Sequence, residues 1–383
     1  MNDLIWFYGR RVIFMLRAKH IGLRLIPNVS HSNFSQGAHP VSPPSPLPLS
    51  AHSPQTPTRS LRIYSWNING IQPFLPPTTP QITKFLASSS NPKPAPTQPS
   101  LRANLLRWKW PHIIFLQEVK IAPSDTKTIA RLHRAIIAPL EGEPRELPND
   151  RLYNTDSTLP RDKYNATGFG GKVYGVSTLV RRDLSSDTTV KSVGWDLEGR
   201  VQVVEISSLG LVVINVYAVN GTTNDYLDPT SGKVVGNRHD RKRSFHSLLA
   251  NEVSAYEEKG WGVIVAGDIN ISRSKIDSFP QLRMGEDHVK NRADFEEKFI
   301  NGLGMIDSFR LLHGDEKKYS YRPRNKPWGA GGDRVDLILV TKGLRECVRE
   351  ADVLDGEVER GPSDHVPLFV ELEVKRWIEG KQI

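Results

Sequence analysis

The sequence has few of the features that mark several large protein classes. It contains one cysteine, Cys347, so no internal disulfide can form, as is usual in the nucleus, cytosol or mitochondrial matrix. No apolar run approaches the roughly 20 residues needed to span a bilayer, and neither a GxGxxG motif nor a P-loop occurs. We therefore expect a soluble protein with no membrane partner and without either nucleotide-binding motif.

The positive charge of the chain is unevenly distributed. The formal net charge is +9, and such a charge attracts polyanions because lysines and arginines that neutralise phosphates release counterions. Residues 1–60 hold six basic residues against Asp3 alone. Roughly half of the excess charge therefore lies in this segment, and the charge of the remainder does not by itself identify nucleic acid as the partner.

Residues 1–60 are predicted to be a disordered basic extension. The first 30 residues carry arginines, almost no acidic residues and interspersed apolar residues, which is typical of a mitochondrial presequence or of a disordered extension. Residues 40–57 contain seven prolines, which exclude a helix or a central strand and predict a linker. We expect residues 61–383 to form the folded domain.

From Leu61 onward, short apolar runs alternate with turns and helical patterns. The runs predict strands at 61–66, 112–117, 173–181, 200–206, 211–217, 262–266, 335–340 and 367–374. The helical periodicity predicts helices at 102–108, 126–138, 241–258 and 292–302. Because several strands follow one another without a helix, the pattern favours two sheets with helices outside. Loop insertions are predicted at 72–100, 141–163 and 222–240.

Polar residues follow the apolar runs at several predicted strand ends, where a scaffold holds side chains rigidly. A single such residue is more often part of a turn or of the packing, but six such ends in one chain indicate a site. The six ends carry Asn67 with Asn69, Glu118, Tyr217 with Asn220, Asp268 with Asn270, Asp336, and the motif Ser363-Asp364-His365.

The residue types at these ends suit the hydrolysis of phosphate esters. A hard cation such as Mg²⁺ takes oxygen ligands, and Glu118 can supply one. A glycine turn aims Asp268 and Asn270 to the same side, where they can position water and donate to a phosphate oxygen. A carboxylate beside His365 would fix the tautomer of the ring and raise its pKa, and Asp336 is a candidate for that partner.

In these motifs the chain resembles the exonuclease III family of apurinic/apyrimidinic endonucleases, within the endonuclease/exonuclease/phosphatase superfamily. The resemblance spans residues 61–375 in the family order, and the segment that follows Asp268 is similar to the second eukaryotic branch. The matching stretches are Trp66-Asn67-Ile68-Asn69-Gly70, Leu116-Gln117-Glu118-Val119-Lys120, Asn215-Val216-Tyr217, Gly267-Asp268-Ile269-Asn270, Asp307-Ser308-Phe309-Arg310, Arg334-Val335-Asp336 and Ser363-Asp364-His365.

The resemblance implies an α/β fold, a four-layer sandwich of two mixed β-sheets flanked by helices, as in deoxyribonuclease I. It implies a Mg²⁺-dependent phosphodiesterase of DNA base excision repair, for which Mn²⁺ is a substitute cofactor. Such an enzyme incises DNA 5′ to abasic sites, acts as a 3′–5′ exonuclease or trims 3′ ends. The implied partner is double-stranded DNA with abasic sites or 3′ ends, bound by a monomer in the nucleus or mitochondrion.

The resemblance also implies roles for individual residues. The implied metal ligands are Asn67, Glu118, Asp268, Asn270, Asp364 and His365. The implied catalytic residues are Tyr217, Asp268, Asn270, Asp336 and His365, with either Asp268 or His365 as the general base. The implied DNA-binding residues are Asn69, Lys120, Asn220 and Arg334. Further phosphate contacts are expected from two basic clusters, Arg238, Arg241, Lys242 and Arg243, and Arg322, Arg324 and Lys326.

The chain departs from the family pattern at two positions. Val219 stands where family members often have proline before the residue that matches Asn220, so the local turn is expected to differ. Asp333 stands where one branch has an aromatic residue that helps to wall the sugar pocket and the second eukaryotic branch has a small polar residue. A carboxylate there disfavours apolar contact with the sugar and disfavours a nearby phosphate.

Two alternative functions remain open from the sequence. An inositol polyphosphate 5-phosphatase shares the Gly-Asp-x-Asn and Ser-Asp-His motifs, but its Trp-Cys-Asp-Arg signature is absent here. A DNA-binding protein without activity on the same fold would not need five polar residues of this kind together. Both observations favour the nuclease.

Overall fold

The computed structural model describes residues 58–76, 99–168, 172–375, 377–378 and 381–382. The predicted presequence and linker within residues 1–57 lie outside the described residues, as does most of the predicted insertion at 72–100. Within the described ranges, no helix is both long enough and apolar enough to cross a membrane.

Two six-stranded mixed sheets form the centre of the fold. Their strands, in chain order, are β1 (Thr58–Asn67), β2 (Ile113–Gln117), β3 (Tyr153–Thr158), β4 (Val176–Arg181), β5 (Thr188–Ser192), β6 (Val201–Ile206), β7 (Leu211–Tyr217), β8 (Gly262–Asp268), β9 (Ile306–Asp307), β10 (Asp336–Val340), β11 (Val348–Val353) and β12 (Leu368–Lys375). Short ladders pair Thr167–Gly168 with Lys172–Val173, Asp225–Leu227 with Val234–Asn237, Ser278–Phe279 with Gly332–Asp333, and Trp377–Ile378 with Lys381–Gln382.

Each sheet has one parallel pair at its centre. The first sheet has the order β11-β12-β1-β2-β4-β3 and the second the order β9-β10-β8-β7-β6-β5. Strand β1 runs parallel to β2, and β7 runs parallel to β8. Parallel neighbours end at the same edge of a sheet, so Asn67 lies opposite Gln117, and Tyr217 lies opposite Asp268. The polar strand ends are therefore grouped by the topology.

An aliphatic core lies between the two sheets. It contains Ile63 and Ile113 of the first sheet and Val213 and Ile264 of the second, all fully buried. Alternate residues of β7, such as Val212, point to the opposite face and join a second core under helices. Strands that are buried on both faces read as continuous apolar runs, which explains why the sequence predicts these strands well.

Helices cover the outer face of each sheet. The longer ones are α1 (Leu101–Arg107), α2 (Thr126–Ile137), α3 (Arg238–Glu257), α4 (Glu286–Phe295), continued by a π-helical turn over Glu296–Gly302, and α5 (Ser308–His313). Single turns lie at Gln72–Phe74, Asn149–Arg151, Arg182–Ser185, Ser207–Leu209, Lys275–Asp277, Lys342–Cys347 and Glu357–Arg360. Helices α1 and α2 share a core with the first sheet, whereas α3 and α4 share one with the second. The predicted four-layer sandwich is confirmed.

Two segments predicted as loop insertions contain regular structure. Segment 141–163 includes the edge strand β3, in which Asn154 and Asp156 are exposed. A polar edge strand has no apolar run, so its sequence resembles that of a loop. Segment 222–240 forms a hairpin and the first turn of α3, where the Asn237 side chain accepts hydrogen bonds from the third helical residue at 3.0 Å and caps the helix.

Candidate active site

The two sheets meet at their polar edge through Asn67. The Nδ2 atom of Asn67 donates to Glu118 Oε1 at 3.1 Å in the first sheet and to Asp268 Oδ2 at 3.0 Å in the second. Its Oδ1 atom accepts from the backbone N of Asn69 at 3.0 Å. Since both ends of this buried amide are engaged, the arrangement favours positioning of the two carboxylates over direct contact with a metal ion.

Glu118 is held by hydrogen bonds on both carboxylate oxygens. Tyr217 OH donates to Oε1 at 2.7 Å, and Lys120 Nζ lies 2.9 Å from Oε2. Burial alone would raise the pKa of Glu118, but Lys120 and the hydrogen bonds from Tyr217 and Asn67 hold the pKa below its usual range. Glu118 is therefore ionised at neutral pH, and its carboxylate can supply an oxygen ligand to a cation.

Four non-glycine residues at this edge have left-handed backbone conformations. Their φ angles are 50° for Asn69, 51° for Glu118, 53° for Lys120 and 56° for Asn270. Such conformations are uncommon for residues other than glycine and persist only where the surrounding structure enforces them. All four residues belong to the predicted site, so the backbone is strained where the polar side chains converge.

Asp268 and Asn270 occupy a tight turn at the end of β8. The backbone N of Asn270 donates to Asp268 Oδ1 at 2.9 Å. A Cβ at Gly267, whose φ is 150°, would lie 1.9 Å from a backbone oxygen of β7, so only glycine fits before Asp268. Burial and the neighbouring carboxylate of Asp336 raise the pKa of Asp268 to about 7.

His365 lies between two buried carboxylates. Its Nδ1 atom is 2.7 Å from Asp336 Oδ2, and its Nε2 atom is 4.0 Å from Asp268 Oδ2. Burial opposes a charge on the ring, but the carboxylates of Asp336, Asp268 and Asp364 outweigh it and raise the pKa of His365 to about 10. The ring is therefore a charged donor at neutral pH, and Asp336 is the partner that fixes its orientation.

A layer of polar groups below the site holds this pair in place. Ser363 Oγ donates to Asn67 O at 2.7 Å and accepts from His365 N at 3.0 Å. The backbone N of Asp336 donates to Ser320 Oγ at 3.0 Å, and the ring of Tyr321 lies 5.1 Å from that of His365. Neither Ser320 nor Tyr321 is predicted from the sequence as a site residue, although the alternation of aromatic and small residues before the glycine-rich loop is a signal that indicates them.

The converging residues line a cavity of about 240 Å³. Its lining includes seven of the predicted site residues, namely Glu118, Tyr217, Asn220, Asp268, Asn270, Asp364 and His365. Asn67 and Asp336 lie beneath the surface, where they orient the carboxylates and the imidazole. The structure therefore brings the polar ends of both sheets together in one concave site.

The oxygen donors of the cavity fit a hard divalent cation. Glu118, Asp268 and Asp364 present carboxylates to the same cavity. Ligand atoms of Asp268, Asp336 and His365 also lie within 4.8 Å of one another. Among the described residues, the buried Oδ1 of Asp336 has no hydrogen-bond partner. Such an oxygen-rich set suits a hard metal ion, whereas the charged ring of His365 has no free lone pair for one.

Arg334 is buried, whereas the prediction that it binds DNA requires an accessible guanidinium. Its side chain is 1% exposed. The guanidinium donates to Asp277 at 2.7 Å and to Asp307 at 2.8 Å. These two carboxylates are distant in sequence and together occupy the planar donor fork. Arg334 therefore joins Asp277 and Asp307 in a buried ion-pair network below the cavity.

Most members of the two predicted basic clusters also have internal partners. Arg238 and Arg241 lie 2.6 and 3.1 Å from the buried carboxylate of Glu198. Arg322 donates to Asp355 at 3.0 Å, and Arg324 donates to the carbonyl of Ser363 at 2.6 Å. The sequence could not show these partners because each lies at least 33 residues away.

Lys242 is a buried residue of α3 that reaches the cavity. Its side chain is 2% exposed, and Nζ donates to the carbonyl of Asn270 at 2.7 Å. Burial lowers the pKa of Lys242 to about 7. Its position in the apolar stripe of Phe245 and Leu249 is the sequence signal that distinguishes it from the exposed lysines.

Three predicted DNA-binding residues lie around the rim. Lys120 Nζ contacts Asn69 Oδ1, and Asn69 Nδ2 donates to Asp364 Oδ1 at 2.8 Å. Asn220 is exposed and lines the cavity. Asn69 and Lys120 instead contact two residues of the cavity lining, Asp364 and Glu118, and the contact of all three with DNA stays a prediction.

Asp333 lines the cavity, and its negative charge is partly compensated. Its Oδ1 accepts from Ser278 Oγ at 2.6 Å, and its Oδ2 lies 3.6 Å from a guanidinium nitrogen of Arg283. From the sequence alone, the carboxylate of Asp333 is expected to repel a phosphate. The contacts with Ser278 and Arg283 reduce this repulsion.

Comparisons with known proteins agree with this site. The sequence profile of the Endonuclease/Exonuclease/phosphatase family matches residues 64–365. Exodeoxyribonuclease III of Haemophilus influenzae is 26% identical over 223 residues, which cover 52% of this chain and 77% of that protein. DNA-(apurinic or apyrimidinic site) endonuclease 2 of Saccharomyces cerevisiae is 25% identical over 263 residues, which cover 57% of this chain and 46% of that protein. The chain thus spans less than half of the yeast protein.

A solved structure shows the likeness of the fold. The catalytic domain of Xenopus laevis APE2 superposes with a TM-score of 0.54 at 22% identity, covering 84% of this chain and 95% of that domain. The resemblance predicted from the motifs is confirmed by these matches. Since the family profile extends from the first strand to His365, the chain belongs to the endonuclease/exonuclease/phosphatase family.

Proposed function

We propose that the protein is a metal-dependent DNA phosphodiesterase of base excision repair, which incises DNA 5′ to abasic sites and trims 3′ ends. The observation that carries the proposal is the meeting of Glu118, Asp268 and the Asp336–His365 pair in one cavity. The names of the relatives, exodeoxyribonuclease III and an apurinic/apyrimidinic site endonuclease, support DNA as the substrate.

Mg²⁺ is the proposed cofactor, with Mn²⁺ as a substitute. Glu118, Asp268 and Asp364 would hold the ion, because their carboxylates line the same cavity. Asn67 would keep Glu118 and Asp268 apart at a fixed distance by donating to both. When bound, the ion neutralises the charge that develops on the phosphate.

The arrangement of the side chains supports Asp268 as the general base. The Nδ1 side of His365 is occupied by Asp336, and its Nε2 side faces Asp268 at 4.0 Å. Surrounded by carboxylates, the imidazolium donates to a phosphate oxygen. Asp268 then takes a proton from the attacking water, whose oxygen bonds to phosphorus while the bond to the 3′ oxygen breaks. The departing 3′ oxygen takes a proton from solvent. Tyr217 and Asn270, whose donors face Glu118 and Asp268 in this structure, would turn to the phosphate or to that oxygen.

A nicking assay tests this function. The substrates are a duplex with one abasic site, the same duplex undamaged, a duplex with a blocked 3′ end, and inositol polyphosphates, each with Mg²⁺ or EDTA. The expected result is Mg²⁺-dependent incision of the abasic duplex together with trimming of the blocked 3′ end. Hydrolysis of inositol polyphosphates alone would assign the site to a phosphatase instead.

The proposed function places the protein where DNA is, in the nucleus or mitochondrion. The relatives named as endonucleases of abasic sites support this location. Residues 1–60 fused to a fluorescent reporter are expected to direct it to mitochondria. A reporter that is diffuse in the cell would show that these residues are not a mitochondrial presequence.

We propose that the protein is a monomer. Light scattering is expected to give the mass of one chain, 43.1 kDa.

A further inference from the structure

The cavity has a basic side that the proposed reaction leaves unused. Lys242 of α3, Arg283 and two residues of α4, His288 and Arg292, line it together with the catalytic residues. His288 and Arg292 are four residues apart in α4, so they lie on the same face of the helix. Apart from Arg283, which lies in the loop before α4, the basic side therefore comes from two packed helices.

Lys242 differs from the other buried cations of the described chain. The buried lysines and arginines among the described residues are Arg102, Arg200, Arg241, Lys242, Arg322, Arg334 and Arg360. Each of these arginines has a carboxylate within ion-pair distance. Lys242 has the carbonyl of Asn270 at 2.7 Å and, among the described residues, no carboxylate within 4.0 Å.

Burial without a counter-ion disfavours the charged form of Lys242, and the ammonium that a bound anion would stabilise carries three donors. The carbonyl of Asn270 uses one of them, so two stay available on the side of the cavity. Arg292 is similar, because its guanidinium donates to the carbonyls of Ser272 at 3.2 Å and Arg283 at 2.8 Å and to no described carboxylate. An anion that comes with the substrate would supply the counter-charge that both side chains lack.

We propose that Lys242 and Arg292, with His288 as a further donor, form a second phosphate site that binds the phosphate next to the scissile one in the strand. The inference rests on the proposed function. The scissile phosphate itself belongs to Asn270 and His365, and the bond from Lys242 to the Asn270 carbonyl joins the two phosphate sites. The protein would then prefer a nucleotide that carries phosphate on both sides.

Neutralising single phosphates of the DNA tests the site in the whole chain of 383 residues. Duplexes with one abasic site carry a methylphosphonate at the phosphate 5′ or 3′ to the scissile one, or farther away. With the natural chain, a methylphosphonate on one side of the scissile phosphate, either 5′ or 3′, is expected to raise KM about tenfold or more. With Lys242→Met, the same replacement should have little further effect, whereas Lys242→Arg should restore the sensitivity. The exposed Lys290 of α4 supplies the matched control, Lys290→Met, which should behave like the natural chain.

Binding without turnover provides a second readout. In EDTA, thymidine 3′,5′-bisphosphate is expected to bind the natural chain about ten- to a hundredfold more tightly than thymidine 5′-monophosphate. Lys242→Met should abolish this difference and retain monophosphate binding. Equal affinities in the natural chain, or equal methylphosphonate effects in both proteins, would overturn the second site. Failure to incise any DNA would instead refute the proposed function.

Discussion

His365 Nδ1 lies 2.7 Å from Asp336 Oδ2, and both side chains are almost fully buried. The pair joins the start of β10 to the loop before β12, so the imidazole is fixed by the frame of both sheets. Asp336→Asn would keep the shape but remove the charge that stabilises the imidazolium. We expect kcat to fall roughly 100-fold or more with KM little changed, as measured on an abasic duplex.

The exposed Asp315 offers a matched control, because Asp315→Asn makes the same chemical change away from the cavity. Its kcat should equal that of the natural chain. A rise in KM for Asp336→Asn with an unchanged kcat would show that Asp336 acts in substrate binding and not through His365.

Asp268 and His365 are expected to act in the transition state. Asp268→Asn and His365→Ala should each lower kcat by roughly 1,000-fold or more, while the Kd for duplex DNA in EDTA changes little. Fluorescence anisotropy measures the Kd and the nicking assay measures kcat. If both quantities changed by the same factor, the two residues would be structural.

Glu118 is expected to act through the metal ion. Glu118→Gln keeps a hydrogen-bond acceptor for Tyr217 but loses the charge that attracts the cation. The Mg²⁺ concentration needed for half-maximal activity should therefore rise about tenfold or more, and saturating Mg²⁺ should restore part of the rate. A Mg²⁺ titration that matches that of the natural chain would remove Glu118 from the ligand set.

The strand ends of the site could be predicted from the sequence because they interrupt buried apolar runs. Asp268 follows the run of β8, and Glu118 follows that of β2. The roles of the basic residues could not be predicted in the same way, because they depend on tertiary contacts. Arg334 and Lys242 are both buried basic residues with different partners. Arg334 pairs with the carboxylates of Asp277 and Asp307, whereas Lys242 donates to the carbonyl of Asn270. No local pattern records such partners.

Arg334 is expected to contribute to stability, not to DNA affinity. Arg334→Met would leave the carboxylates of Asp277 and Asp307 without their shared counter-charge. Breaking a buried ion pair lowers the free energy of unfolding by about 3–5 kcal/mol. Because Arg310 still pairs with Asp277 and Arg273 with Asp307, we expect a loss toward the lower end of this range, which urea denaturation measures. The salt dependence of DNA binding should stay unchanged, and a shallower dependence would return Arg334 to the DNA interface.

His246 is expected to make the stability of the protein depend on pH in the acidic range. The ring lies between α3 and α4, where Nδ1 is 2.8 Å from Asp294 Oδ2 and Nε2 is buried without a partner among the described residues. Burial lowers the pKa of His246 from 6.5 to about 4, although the hydrogen bond with Asp294 opposes this shift. The folded state therefore holds the neutral ring more strongly than the unfolded state does.

Because the folded pKa is the lower one, protonation favours the unfolded chain. The stabilisation is fully present above pH 6.5 and is lost as the pH falls toward 4, up to on the order of 3 kcal/mol. Urea denaturation at several pH values measures this loss. His246→Gln keeps a hydrogen-bonding group near Asp294 but cannot titrate, so its free energy of unfolding should fall less steeply between pH 6.5 and 4. Equal slopes for the two proteins would show that His246 is protonated in the folded state.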